Sequence, residues 1–249
     1  MNSLFTDELF TEIVSQTNIY AHFRLDYKPQ RKNSIWLDWK DVDLDEMKAF
    51  FGVVLNMALN PKPNLQDYFS KEWLNVSSFY SDVFTRRRFL QIHWMLHISP
   101  PVPANAPRQT RADKVRNVLT YIKGKCLDLY IPQREVAIDE TTISFKGHVG
   151  FKMYNPQKPS KWGLRVYVLA ESLHGYICTF VPYYGKLTTD ELDRAELPFT
   201  SRIVLTLCWE LLTKANGSGY HLYTDRFYTG QPGDGAAAAA DTDHWNCHA

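Results

Sequence analysis

Residues 134–147 read REVAIDETTISFKG, a strand-type alternation that sets Asp139 and Glu140 side by side within an apolar stretch. A second apolar stretch, YHLYTD at 220–225, ends on Asp225. Aspartates brought together on neighbouring strands repel, so one takes up a proton or a cation sits between them. Mg²⁺ favours carboxylate oxygen and keeps several waters. Two such ions about 3.5–4 Å apart activate a nucleophile and stabilise a leaving oxygen in phosphodiester chemistry. Taken singly, each acid has a structural alternative: Asp139 starts a turn and Asp225 caps one. On the residues alone both readings stand.

The elements that must position these acids follow from periodicity. Residues 4–20 have helical spacing, with Thr6 as a cap. Residues 43–60 form a second helix, capped by Asp43, apolar on most sides and therefore expected to be buried; Pro61 and Pro63 end it. Residues 83–99 read as a third helix with Thr85 as cap, 100–110 as a proline-rich linker, and 114–129 as a basic helix. The pattern then changes to strands at 134–145, 163–171 and 176–184, a helix at 201–214, a turn at 215–219 and a strand at 220–225. A helix crossover into the last strand makes it parallel to a partner. If that partner is the first strand, Asp139 and Asp225 stand at neighbouring positions.

The chain has 249 residues, 45% hydrophobic and 14% aromatic, enough for a sizeable core. The net charge of +1 hides an uneven distribution. Acids outnumber bases over 1–50. Residues 86–125 are strongly basic, with Asp113 as their single acid, and 141–170 carry Lys146, Lys152, Lys158, Lys161 and Arg165 with no acid. Two basic blocks suggest a polyanion partner, although on charge counts alone solvated faces fit slightly better. Cys126, Cys178, Cys208 and Cys247 form no CxxC pair, which argues against a zinc ribbon or a disulfide framework and fits a reducing compartment. No apolar run reaches the roughly 18 residues of a membrane span, and the N-terminus has no signal-peptide pattern. His93 and His97 have zinc-like spacing on the expected helix, but the glutamate of a zinc-protease motif is missing between them, so a packing or hydrogen-bonding role fits. Gly217 and Gly219 turn the chain without the GK[ST] of a phosphate loop. Tyr183 and Tyr184 read as packing at the sheet edge.

Residues 136–172, VAIDETTISFKGHVGFKMYNPQKPSKWGLRVYVLAES, resemble the core of the piggyBac transposase family. The family pattern runs from a strand ending in I-D-E, through a phenylalanine and Lys/Arg-Gly, to K-P-x-K-W/Y-G. GYHLYTDRFYTG at 219–230 resembles its second acidic motif. FTDELFTEIVSQTNIYA, FFGVVLNMALNPKPNLQDYFS and FTRRRFLQIHWMLHI are similar to its N-terminal helical region. The resemblance implies a ribonuclease H-type core that cuts and rejoins DNA with three aspartates and Mg²⁺, excising an element through hairpin ends and inserting it at short TA-rich targets. It maps the first aspartate onto Asp139 and the second onto Asp225, both catalytic and metal-binding; Glu140 belongs to the motif without being one of the three. It directs DNA contact to Arg86, Arg87, Arg88, Lys146, Lys152, Lys158 and Lys161.

The sequence departs from the family at the third aspartate, which falls in a downstream segment not contained here; Asp234, Asp241 and Asp243 come too early to replace it. The insertion domain and the cysteine-rich zinc module are not found either, and Cys247 and His248 do not match the latter's spacing. The expected fold is α/β: an N-terminal helical region for DNA binding or dimerisation (1–130), an incomplete ribonuclease H-like core with a mixed sheet and crossover helix (131–230), and a low-complexity tail (231–249). The expected function is that of a piggyBac transposase-derived protein, ancestrally cleaving and transferring DNA, inactive as given, with Mg²⁺ held weakly or not at all. The rival readings are a domesticated, non-catalytic DNA-binding or interaction protein and a fragment of a fuller active transposase. DNA is the expected partner, with a homodimer allowed, no membrane and no small-molecule substrate, and the nucleus is the expected location.

Overall fold

The computed structural model describes residues 4–27, 32, 34–72, 77–99, 111–214 and 219–228, and the backbone of 244–247. The chain divides into two compact units, Met1–Val118 and Leu119–Ala249.

The first unit is helical. Helix α1 (Asp7–Tyr27) buries Leu9, Phe10, Ile13, Thr17 and Ala21, a stripe at spacings of three and four residues. Asn18 fixes the chain beyond it: its amide donates to the Val42 carbonyl and its oxygen accepts from the Val42 N–H, both at 2.9 Å. Helix α2 (Leu44–Leu59) starts where expected, because Asp43 accepts a 2.8 Å hydrogen bond from the Glu46 N–H. It buries Met47, Phe50 and Val53 but leaves Val54, Leu55 and Leu59 exposed, so it is covered on one face and not all round as its composition suggested. A 3-10 turn follows at Leu65–Phe69.

The helix expected over 83–99 covers only 86–95, and a separate short helix precedes it. α3 (Ser78–Val83) stops, Phe84 is extended, and Thr85 caps α4 (Arg86–Met95) by accepting from the Arg88 N–H. His97 therefore lies beyond the end of α4. Its ring stacks on Tyr20 at 3.5 Å and its backbone N–H donates to Thr17. Burial holds the pKa of both His93 and His97 below the ordinary value. The linker expected at 100–110 lies outside the described residues, as does most of the turn expected at 215–219.

Helix α5 (Asp113–Leu129) crosses the division between the units. The second unit is built on a sheet of β1 (Glu135–Ser144), β2 (Met153–Tyr154), β3 (Trp162–Glu171), β4 (Ile177–Pro182), β5 (Tyr220–Thr224) and β6 (His244–Cys247). The order is β2-β3-β1-β5-β6, with β4 also on β3. β1 and β3 are antiparallel from Val136 opposite Glu171 to Ser144 opposite Gly163. Only glycine fits at 163: a Cβ there would lie 2.5 Å from the Ile143 carbonyl oxygen. Between β4 and β5 the chain forms α6 (Lys186–Glu191) and α7 (Phe199–Leu212). Strand alternation sends Val136, Ile138, Tyr167, Leu169 and Leu222 to one face, where they pack with Ile203, Leu207 and Leu211 of α7. Each such side chain contributes roughly 1.5–3 kcal/mol on burial.

The β3–β4 turn is bolted to the start of β1 by Glu171. Its buried carboxylate accepts from the Tyr130 hydroxyl (2.8 Å), the Gln133 N–H (3.0 Å), and the ring and backbone of His174 (2.7 and 3.2 Å). These donors, the Gln133 N–H foremost, pull its pKa down to about 2. Within the tail expected to be low-complexity, 244–247 form β6, antiparallel to β5. The open edge of β5 presents unpaired backbone groups that any extended segment can satisfy. Among the described residues no helix is long and apolar enough to cross a membrane.

Candidate metal centre

β5 lies parallel to β1, and their register runs from Glu135 opposite His221 to Ile138 opposite Thr224. Asp139 and Asp225 are each the next residue along, so they emerge together where the ladder between the two strands stops. Asp139 accepts a 2.7 Å hydrogen bond from the Glu140 N–H. Asp225 accepts one of 3.0 Å from the Phe227 N–H, and its carbonyl accepts from the Tyr228 N–H, which turns the chain sharply after β5.

Carboxylate oxygens of Asp139, Glu140 and Asp225 all lie within 4.8 Å of one another. The two aspartates are exposed and Glu140 is half-buried. Among the described residues this is the group of acidic side chains placed to hold a metal ion. Its all-oxygen donors suit a hard divalent cation, and the exposure of the aspartates leaves room for the waters that Mg²⁺ retains.

Two partners of the cluster were not anticipated from the sequence. Glu140 sits 3.8 Å from Lys158 Nζ and accepts a 3.4 Å hydrogen bond from the Tyr228 hydroxyl. Tyr228 is buried, and burial first, then the charge of Glu140 and its neighbours, drives its pKa far up, so it stays a proton donor. The signal for Tyr228 was its place three residues after Asp225, within reach of a tight turn. Glu140 was named in the motif, but strict alternation sends it to the opposite face from Asp139. Beyond Ile138 the β5 ladder has ended, and the two carboxylates converge from the two faces.

The basic residues separate into different situations. Arg86 is exposed. Arg87 donates through Nη2 to Asp38 at 2.8 Å, and Arg88 makes a two-pronged pair with Glu46, both contacts 2.6 Å, while lying 5.1 Å from the Trp39 ring. Two of the three arginines are therefore committed within their own unit. Lys146 and Lys161 are exposed. Lys152 donates to the Gly147 carbonyl at 2.9 Å, and Lys158 to the Glu140 carbonyl at 3.3 Å.

Comparison with known proteins agrees with this architecture. The family described as Transposase IS4 matches residues 1–231. The chain belongs to that transposase family as a piggyBac-type member. It is 26% identical over 223 residues to the human PiggyBac transposable element-derived protein 3, covering 90% of this chain and 35% of that protein. It is equally similar to the human Chimeric ERCC6-PGBD3 protein, of which it covers 19%. Among solved structures it is similar to a piggyBac transposase determined by cryo-EM as a synaptic complex with hairpin DNA, with TM-score 0.72 and 27% identity over 93% of this chain and 46% of that one. The chain thus spans about a third of the first relative and under half of the solved transposase. The mixed sheet with its α7 crossover is a ribonuclease H-like core. Transposases of this family generally use a divalent metal, and the Asp139–Glu140–Asp225 cluster is where this chain offers the oxygen ligands.

Proposed function

We propose that the chain is the DNA-engaging, cation-holding core of a piggyBac-type transposase, descended from an enzyme that cleaves and transfers DNA strands. The observation that carries this is the parallel register of β1 and β5, which delivers Asp139 and Asp225 together at the end of their shared ladder. Asp139 and Asp225 would hold the ion, with Glu140 bordering it. A divalent ion bound there supplies charge neutralisation for phosphate oxygens and activation of an attacking hydroxyl. The chain's own residues do the rest. Backbone N–H groups of Glu140 and Phe227 orient the two aspartates, while Lys158 and Tyr228 draw the Glu140 carboxylate toward themselves. Lys146 and Lys161 offer exposed charge to phosphates, and DNA as the working partner makes the nucleus its place of action.

We further propose that the 249-residue polypeptide binds DNA without cutting it. With Glu140 engaged by Lys158 and Tyr228, two carboxylates remain fully available to a cation. In-line displacement needs both the attacking and the leaving oxygen stabilised, and that calls for more anchoring oxygens than two side chains give. Within a longer polypeptide, a further carboxylate reaching this cluster would restore the two-ion chemistry. The test is nicking of a labelled duplex carrying matched element ends, with Mg²⁺ or Mn²⁺ and with Asp139→Ala as control. The expected result is retention of the duplex in a gel shift and no nicked product. Cleavage that disappears in Asp139→Ala would overturn the inactive reading and return the chain to the active enzymes; no DNA retention at any salt concentration would overturn the DNA reading.

A further inference from the structure

Glu140 differs from the two aspartates in the company its carboxylate keeps. Oε1 lies 3.8 Å from Lys158 Nζ, and Oε2 accepts the Tyr228 hydroxyl at 3.4 Å. The same ammonium group donates to the Glu140 carbonyl at 3.3 Å, so it straddles the side chain and the backbone of one residue. Glu140 nevertheless keeps a carboxylate oxygen within 4.8 Å of ligand oxygens from Asp139 and Asp225. A single carboxylate therefore borders the cation site and an ammonium group at once.

Lys158 is brought there by a preset turn. The Asn155 side-chain oxygen accepts from the Gln157 N–H at 3.0 Å, and the Asn155 N–H donates to the Lys161 carbonyl at 2.7 Å. Pro156 and Pro159 fix two further backbone angles on either side of Lys158. The turn holds its shape without the lysine side chain, which is free to swing. Its contact with Glu140 is also loose. The two side chains are 37% and 22% exposed at a separation of 3.8 Å, whereas Arg88 and Glu46 close to 2.6 Å. A partly exposed pair at that distance contributes little to stability, so the fold can give it up.

A hard divalent cation takes six or more oxygen ligands, so one held by Asp139 and Asp225 gains from a third carboxylate. An ammonium group beside that carboxylate opposes the gain, because like charges at this range disfavour one another. We propose that Lys158 is a tethered competitor for the cation: ammonium and divalent ion exclude each other at Glu140. Lys158 thereby lowers the affinity of the cluster, and Glu140 joins the ligand set only when Lys158 lets go. The proposal rests on the cation reading above and adds the residue that regulates it.

The test is Mn²⁺ uptake by the full 249-residue chain, followed by electron paramagnetic resonance. Lys158→Met should bind Mn²⁺ about tenfold more tightly than wild type, the low end of what one neighbouring unit charge does to an ionic equilibrium. Lys158→Arg, which keeps the charge, should stay near wild type. Glu140→Gln added to the Lys158→Met chain should cancel the gain, because Glu140 is the ligand that the cation gains. A lysine that only braced its turn would act with the opposite sign, its loss weakening uptake. Circular dichroism checks that each variant is folded, and Lys158→Gln carries the same expectation as Lys158→Met. Unchanged or weaker uptake by these two variants overturns the proposal, as does a gain that survives Glu140→Gln. No uptake by wild type or by either variant overturns the cation reading itself, and is distinguished in that way from failure of the competition alone.

Discussion

In the helical unit Arg88 is clamped by Glu46 at 2.6 Å with both side chains largely covered, and Arg87 is paired with Asp38. In the sheet unit Asp139 accepts the N–H of its strand neighbour Glu140, Asp225 accepts that of Phe227 in the turn after β5, and both stay exposed with their charges converging. Both sets look alike in the sequence, as charged residues next to apolar ones. The difference is geometric. Opposite charges brought together within the helical unit neutralise one another and become part of the scaffold, whereas at the end of the parallel ladder three carboxylates converge, with Lys158 3.8 Å from Glu140. A charge cluster becomes a candidate site when the fold makes like charges converge.

That contrast can be broken in several places. The largest effect is expected where the sheet tolerates least change. Gly163→Ala forces a methyl group against the Ile143 carbonyl and should destabilise the sheet unit by about 3 kcal/mol in urea unfolding; a change near zero would mean that β1 and β3 are not held as closely as described. Next comes the clamp of the helical unit. Arg88→Ala strands the half-buried Glu46 carboxylate and should cost about 2 kcal/mol, while Arg86→Ala, at an exposed position, should stay within about 0.5 kcal/mol. Equal costs for the two would remove the distinction between a scaffold arginine and a free one.

A third test uses pH. Glu171 is held at about 2, below its ordinary 4.5, by donors that favour its charged form. Its contribution to stability is therefore fully present above pH 4.5, falls as the pH drops from there toward 2, and is gone below. Glu171→Gln should be less stable than wild type at neutral pH, and the gap should narrow across that window; a constant gap would show that the carboxylate's charge is not what bolts the turn. A small effect of the opposite sign is expected in α2, where a Cβ on Gly52 meets nothing within 4 Å. Gly52→Ala should stabilise the chain by about 0.8 kcal/mol, the reverse sign of Gly163→Ala.

Much of this was legible in the sequence because it is local. Asp43 and Thr85 announced their helices as caps, alternation announced β1 and β3, and a helix before 220–225 announced that β5 would run parallel. α3 was missed because its six residues are too few to set up a period, and the extended pair Phe84 and Thr85 separates it from α4. β2, with two residues, and α6, with six, are too short to set up a period. The partners of Arg87 and Arg88 lie more than forty positions away in the chain, a distance no local pattern encodes. The convergence of Glu140 with the aspartates depends on where the β5 ladder stops, which is a property of the sheet and not of the IDE motif.

The claim at the centre of this account is that Asp139 and Asp225 share one cation, and binding of Mn²⁺ measured directly by electron paramagnetic resonance tests it. Wild type should take up a single Mn²⁺, competed by Mg²⁺, and Asp139→Asn and Asp225→Asn should each weaken that uptake at least tenfold, a loss of roughly 1.4 kcal/mol. Uptake equal to wild type in both variants, or no uptake by wild type, would contradict the shared site.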